Sequence, residues 1–386
     1  MALNPYAPGA GTEPPVMVGR DVQLAIIKTT ADLVEAGRRP QHVVLTGLRG
    51  VGKTVLLKEG LRNLRDRGWL CGYFEVRRDV DVATALGTII AGGSSLLPAH
   101  AKIRRSLSRL SSSVGGVSLS GSPDGTVALD VTRGVMRPTD IYTESLSVLR
   151  ILAKAARENG VGVALAIDEV QTFRRADATI LLQVLEADEE EDSRVLLLAA
   201  GLPTTPVALS KARTYAERFR YEPLDDLSPG DARRAVKDPA TALGIHWSGP
   251  ALDRIVELAH GYPYFLQLFA SEAWDLSAGA EVITVRHVQQ SESRALSRLE
   301  NGLYATRYQG ATPRERGYLD AMATLAPSGP VRSADVANAL GKTLTEMSQV
   351  RDNLVRKGVI HSPVSGELTF SVPGFGEYVL RRLAAL

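Results

Sequence analysis

Cysteine is almost missing from this sequence: Cys71 is the one thiol among 386 residues. That excludes an intrachain disulfide and a cysteine-based zinc site, and a reducing compartment is the natural expectation. Aromatic residues are sparse, at 5%. Long apolar runs are missing as well: stretches such as Val195–Ala200 fall far short of the roughly 20 residues needed to span a bilayer. The opening MALNPYAPGAG has neither a basic segment nor an apolar one after it, so no signal peptide, no membrane partner and a cytoplasmic location are expected. Nor does one sign of charge prevail, since 45 Lys and Arg stand against 43 Asp and Glu. A net charge of +2 makes no field strong enough to announce nucleic acid, so any such contact must be a local patch. His42, His100, His246, His260, His287 and His361 are scattered without metal-ligand spacing. No Ser-His-Asp arrangement or nucleophile elbow is present. What remains is ordinary: 44% apolar and 23% charged residues describe a chain that folds, with length for two or three domains.

Pro5, Pro8, Pro14 and Pro15 with Gly9 and Gly11 make the first fifteen residues an extended lead-in. Leu24, Ile27 and Val34 then predict a helix ending near Gly37. Val43-Val44-Leu45 is a short apolar strand running into glycines, followed by a helix from Thr54 to Arg67 and a strand from Leu70 to Val76. Two further strands, Val161 to Ile167 and Val195 to Ala200, are apolar throughout. Strands apolar on both faces belong to a parallel sheet covered by helices, so the class is α/β. The acidic stretch Glu186, Asp188, Glu189, Glu190, Glu191 and Asp192 reads as a solvated helix end and its loop.

Residues 92–139 look inserted. Ile103, Leu107 and Leu110 lie on one face of a helix from Ala101 to Leu110, and Val117 to Leu119 and Val127 to Val131 flank the turn Ser122-Pro123-Asp124-Gly125. Lys102, Arg104, Arg105 and Arg109 make this stretch positive, which suits a solvated helix face or a nucleic-acid contact. Beyond Pro223 the periodicity is helical, at Asp231 to Val236, Pro250 to Ala259 and Tyr264 to Leu276.

Gly47-Leu48-Arg49-Gly50-Val51-Gly52-Lys53-Thr54 follows the first strand and opens a helix, which is the G-x-x-x-x-G-K-[ST] spacing in its meaningful context. Glycines let backbone N–H groups turn inward around phosphates, and the helix N-terminus adds partial positive charge. Lys53 is expected on the β- and γ-phosphates of ATP and the Thr54 hydroxyl on Mg²⁺, with Gly47 to Val55 together binding the nucleotide. The partner should be an acidic residue ending another buried strand. Asp168 supplies it and is expected to hold Mg²⁺ through water, with Glu169 next in sequence to polarise the attacking water.

The phosphate loop, the Asp-Glu pair and the extra strand between them resemble the AAA+ and STAND branches of the P-loop ATPases. Asn4-Pro5-Tyr6, Pro14 to Asp21, Asp168-Glu169-Val170-Gln171, Ala200-Gly201-Leu202-Pro203 and Gly261 to Gln267 are similar to a bacterial group of such ATPases near the replication-initiator (origin-recognition) clade. The resemblance implies a sheet of order 5-1-4-3-2 and a helical lid after the core. It implies that Arg20, in Gly19-Arg20-Asp21, lies at the adenine and that Pro263, in Gly261-Tyr262-Pro263, touches the nucleotide. It implies an arginine finger supplied in trans, for which Arg218 is the first candidate beside Arg213 and Arg220, and so self-association. One departure stands out: the strand ending Leu198-Ala199-Ala200-Gly201 lacks the polar residue those families place there, with Thr204 or Thr205 as substitutes. Slow turnover is expected from that gap.

The tail reads as three short helices and a hairpin. Ser333 to Leu340, a turn at Gly341, Thr345 to Lys357, and Val359 to Val372 with Ser365-Gly366 at a tight turn resemble a winged helix-turn-helix. The second helix of such a pair enters the major groove. It would bring Thr345, Ser348, Gln349 and Arg351 to base edges and Arg356 and Lys357 to phosphates. Residues 312–386 hold nine basic and seven acidic side chains, so the whole surplus of two lies there. Both a DNA-binding role and a protein-facing role follow from so small an excess. The expected organisation is a lead-in and helix (1–40), a core (41–222) with the insertion, a lid (223–305) and a winged helix (312–386).

Overall fold

The computed structural model describes residues 3–9, 11–77, 82, 85–86, 117–121, 127–131, 138–189 and 194–385. The chain forms two compact units. One comprises Arg20–Gly47 and Lys53–Leu224; the other comprises Met1–Gly19, Leu48–Gly52 and Asp225–Leu386.

In the first unit five strands make one parallel sheet: β1 (Val43–Thr46), β2 (Leu70–Glu75), β5 (Val163–Asp168), β6 (Val195–Gly201) and β7 (Arg220–Pro223). Two other strands, β3 (Val117–Gly121) and β4 (Val127–Val131), pair antiparallel apart from that sheet. The sheet order is β2-β5-β6-β1-β7. With β3 and β4 set aside this is 5-1-4-3-2 read from the β7 edge, as expected. Every residue of β1, β5 and β6 is buried, because helices cover both faces of a central parallel strand. Edge strand β7 alternates only between exposed and half-buried positions. The covering helices are α1 (Asp21–Glu35), α2 (Lys53–Asp66), and those at Pro138–Glu158, Arg175–Glu189 and Thr205–Ala212. Helix 101–110, its four positive charges and the turn 122–125 lie outside the described residues.

Helix Arg175–Glu189 ends in the acidic stretch, but the described side chains of that stretch are paired or buried rather than fully solvated. Asp188 is buried, Glu186 lies 2.5 Å from the Arg213 guanidinium, and Glu189 accepts a hydrogen bond from Tyr215 at 2.5 Å. Residues 190–192 of it lie outside the described residues.

The second unit is helical, with helices at Pro229–Thr241, Gly249–Ala259, Pro263–Ser277 and Val285–Leu299; the last continues through a π-helical turn, Glu300–Tyr304, into Ala305–Gln309. Two-residue strands β8 (His246–Trp247) and β9 (Val282–Ile283) pair in parallel. Helices Pro313–Leu325, Ser333–Ala339 and Leu344–Arg356 follow. After them β10 (Val331–Arg332), β11 (Ile360–His361) and β12 (Glu367–Phe370) form an antiparallel sheet of order β10-β12-β11, and a last helix spans Phe375–Ala384. The lead-in separates from the helix that follows it in sequence: α1 packs in the first unit, the lead-in in the second. Asn4 Nδ2 donates to Asp275 Oδ1 at 2.8 Å, and buried Tyr6 donates to the Val236 carbonyl at 2.5 Å between the edges of Trp247 and Trp274. Among the described residues no helix is long and apolar enough to cross a membrane.

Candidate active site

At the carboxyl end of β1 the chain turns at Gly47, whose N–H donates to the Gly201 carbonyl at 3.2 Å. Lys53 opens α2, and its buried ammonium donates to the Gly47 carbonyl at 2.9 Å. A buried cation needs such a partner, because its desolvation costs several kcal/mol. Thr54 follows on the same turn and its hydroxyl donates to Asp168 Oδ2 at 2.6 Å. Asp168 ends β5 and is buried; its Oδ1 accepts the Glu169 N–H at 2.8 Å, and the Tyr73 hydroxyl donates to Oδ2 at 3.4 Å. Burial, and next the Asp168 carboxylate, push the Tyr73 hydroxyl well above the ordinary phenol range, so it stays a donor.

Glu169 leaves the strand with φ of 52°, a left-handed conformation uncommon for a side chain of its size. Its Oε2 accepts from Gln171 Nε2 at 2.7 Å. Gln171 Oε1 in turn accepts the Leu202 N–H at 3.2 Å and the Thr205 hydroxyl at 3.4 Å. A methyl group on Gly201 would run into both Gln171 Oε1 and Thr205 Oγ1. Of the two threonines expected to compensate for the apolar end of β6, Thr205 is the one in this network, and it is fully buried.

In the second unit Gly50 and Gly52 have φ of 89° and 96°, conformations that turn successive N–H groups to one side. Tyr262 donates to the Arg49 carbonyl at 2.5 Å, and a methyl group on Gly50 would strike its hydroxyl. Burial pushes the Tyr262 hydroxyl up to about 12, with Arg307 and Arg49 opposing the rise. Leu48 and Arg49 are half-buried and Val51 is buried; in the first unit Val55 is half-buried on α2. Pro263 occupies the first turn of its helix, where its missing N–H costs nothing. Arg20, in the first unit, is buried at the start of α1.

The three arginine candidates differ. Arg213 is held by Glu186, and Arg220 Nε lies 2.6 Å from Glu222. Arg218 is exposed at the end of the short helical turn Thr214–Arg218, its guanidinium 5.9 Å over the Tyr215 ring.

On helix Leu344–Arg356, Ser348 donates to the Thr345 carbonyl, Gln349 to Asn353, and the Arg351 guanidinium lies 2.8 Å from Asp352. Arg356 donates to Asn353 Oδ1 at 3.1 Å. Lys357, just beyond, lies 2.6 Å from the buried Glu315 carboxylate and donates to the Gly310 carbonyl. That pairing ties helix Pro313–Leu325 to the end of helix Leu344–Arg356.

The donor set fits a magnesium nucleotide. Among the described residues no three His, Cys, Asp or Glu side chains gather to hold a metal by themselves. Mg²⁺ usually takes only one or two protein oxygens beside phosphate and water, and the touching Thr54 hydroxyl and Asp168 carboxylate supply that number. Sequence reasoning placed Gln171 and Tyr262 only within segments of family likeness and assigned no role to them or to Tyr73. A second signal for Gln171 was Gly201, a strand-end residue with no side chain where a polar one was expected.

Residues 16–198 match the family model described as AAA ATPase domain, and residues 301–379 match a domain of unknown function. No curated protein matches the sequence. Among solved structures, the Walker-type ATPase of Pyrococcus abyssi is similar with a TM-score of 0.61 at 14% identity, over 95% of this chain and 97% of that one. The Aeropyrum pernix ORC1 protein, solved in complex with DNA, is similar with a TM-score of 0.52 at 16% identity, over 96% and 94%. Residues 16–198 are thus similar to an AAA ATPase domain, and the chain shares its fold with both of these proteins.

Proposed function

We propose that the protein is an ATP-dependent switch that binds ATP with Mg²⁺, hydrolyses it slowly, and couples nucleotide state to duplex DNA as an oligomer. The observation that carries this reading is the 2.6 Å hydrogen bond from Thr54 to Asp168, with Glu169 next in the chain. Lys53 and the N–H groups of residues 47–54 bind the phosphates, with Arg20 and Pro263 toward the base. Thr54 and Asp168 hold Mg²⁺, which neutralises charge on the β- and γ-phosphates when bound. Glu169 takes a proton from water as its oxygen bonds to the γ-phosphorus and the bridging P–O bond breaks, leaving ADP and phosphate. Slow turnover is supported by the absence of a polar side chain at the end of β6. Exposed Arg218 suits a finger offered to a second copy.

The three helices and antiparallel strands beyond Thr312 support a winged helix whose helix Leu344–Arg356 faces DNA through Thr345, Ser348, Gln349, Arg351 and Arg356. Lys357, paired with Glu315, acts as an anchor rather than as a phosphate contact. One observation favours a second reading, a scaffold ATPase whose tail binds protein: Arg351 and Lys357 both spend their charge on neighbouring carboxylates.

ATP turnover and duplex-DNA affinity of the wild type, Lys53→Ala, Glu169→Gln and a chain lacking residues 312–386 test both halves. Lys53→Ala and Glu169→Gln should each lower turnover by about 10²-fold or more. Unchanged turnover in Lys53→Ala removes the catalytic half. DNA affinity indifferent to salt and to the deletion removes the other and leaves the protein-facing reading.

A further inference from the structure

We propose that Gln171 is the positioning residue for Glu169, seated in the space that the apolar end of β6 leaves for its amide. The inference rests on the reading of Glu169 as the base in ATP hydrolysis. Its starting point is the orientation of one amide. Gln171 Oε1 takes two donors from the segment after β6, the Leu202 N–H and the Thr205 hydroxyl. The NH₂ group must therefore point the other way, and it meets Glu169 Oε2 at 2.7 Å. A flipped amide would set oxygen against carboxylate and nitrogen against two donors, so all three contacts select one orientation.

The remaining geometry shows why this amide can sit here. Val170 is buried and fixes the short turn Val170–Thr172 that carries Gln171. Gly201 leaves the room this needs, because a methyl group there would clash with the amide oxygen and with Thr205 Oγ1. Thr205 is fully buried at the start of helix Thr205–Ala212 and cannot swing away. Two anchors thus aim one donor at a carboxylate whose own backbone is left-handed. A carboxylate held in one direction is what a proton acceptor for a placed water requires, since small misplacements cost large factors in rate. The apolar end of β6 is therefore the seat of the Gln171 amide.

The test compares the full-length wild type with Gln171→Ala, Gln171→Glu, Gly201→Ala and Glu169→Gln, measuring kcat for ATP and Kd for a fluorescent ADP analogue. Gln171→Glu preserves shape but removes the donor and sets a second carboxylate against the first, which keeps the test valid if the truncation unfolds. Gln171→Ala and Gln171→Glu should lower kcat by about tenfold or more while Kd stays within about twofold, and Gly201→Ala should follow them by displacing the amide. A merely structural glutamine would lower thermal stability and leave this split between kcat and Kd unmoved. If Glu169→Gln abolishes turnover and the Gln171 variants keep it within about twofold, or speed it, the positioning role is wrong and the function stands. If Glu169→Gln turns over like the wild type, the hydrolysis reading and this inference fall together.

Discussion

His42 joins three elements through one imidazole. Its Nδ1 accepts the Leu197 N–H of β6 at 3.2 Å, which leaves Nε2 as the protonated nitrogen facing the Tyr215 hydroxyl at 3.2 Å, and Tyr215 donates onward to Glu189. The ring also meets the Phe219 edge at 4.9 Å. Burial lowers its pKa from 6.5 to about 3, outweighing the Glu189 carboxylate 4.0 Å away. The unfolded chain therefore binds this proton below about pH 6.5 while the folded one refuses it until about pH 3, so stability is lost as pH falls through that window. Between pH 8 and pH 5 the wild type should lose about 2 kcal/mol more than His42→Gln, checked by urea unfolding at both values. Nothing in the spacing of six histidines pointed here, because both partners lie more than 150 residues away in sequence. Lys53, Thr54 and Asp168 were legible for the opposite reason: a phosphate loop is local, and its acidic partner must end a buried strand.

At the scale of elements, the apolar core strands read well and the shortest strands did not, while the long helices Pro138–Glu158 and Val285–Leu299 went unread. The four predicted core strands and the helices expected at Asp231 to Val236, Pro250 to Ala259, Tyr264 to Leu276, Ser333 to Leu340 and Thr345 to Lys357 lie within about five residues of their places. The pairs β8–β9 and β10–β12 are only two residues long on at least one side, too short for alternation to show. Helix Phe375–Ala384 was not anticipated: Pro373, Gly374 and Gly376 are breakers by composition, although Gly374, with φ of 71°, caps the start of the helix. Helix Leu344–Arg356 carries a reciprocal cap: the Glu346 N–H reaches the Thr343 hydroxyl, and the Thr343 N–H donates to Glu346 Oε2 at 2.8 Å. Thr343→Ala should cost about 1 kcal/mol. Lys342→Ala, which breaks an exposed pair at 3.8 Å, should cost under about 0.5 kcal/mol. Hydrogen exchange along residues 344–350 separates the two variants.

Over the whole molecule the near-balance of charge is kept by pairing. Arg332, Lys342, Arg351, Lys357 and Arg381 are matched with Asp335, Glu346, Asp352, Glu315 and Glu300. Among the described residues Arg314, Arg316, Arg356 and Arg382 make no ion pair, so a DNA complex should show a log–log salt slope no steeper than about −4. Titration of labelled duplex between 50 and 200 mM salt, at about those limits, checks it. The packing of Tyr6 into the second unit was not legible in a lead-in of prolines and glycines, since one aromatic residue makes no period. Cys71, pointing into the core from β2 beside Ala164 of β5, has its thiol pushed up to about 12 by burial. A thiol reagent can reach it only when the sheet of the first unit opens, so the labelling rate is a clock for that opening alone. If ATP binds only the closed unit, saturating nucleotide will slow the clock by the factor 1 + [ATP]/Kd, reading affinity from the native chain without dye or partner.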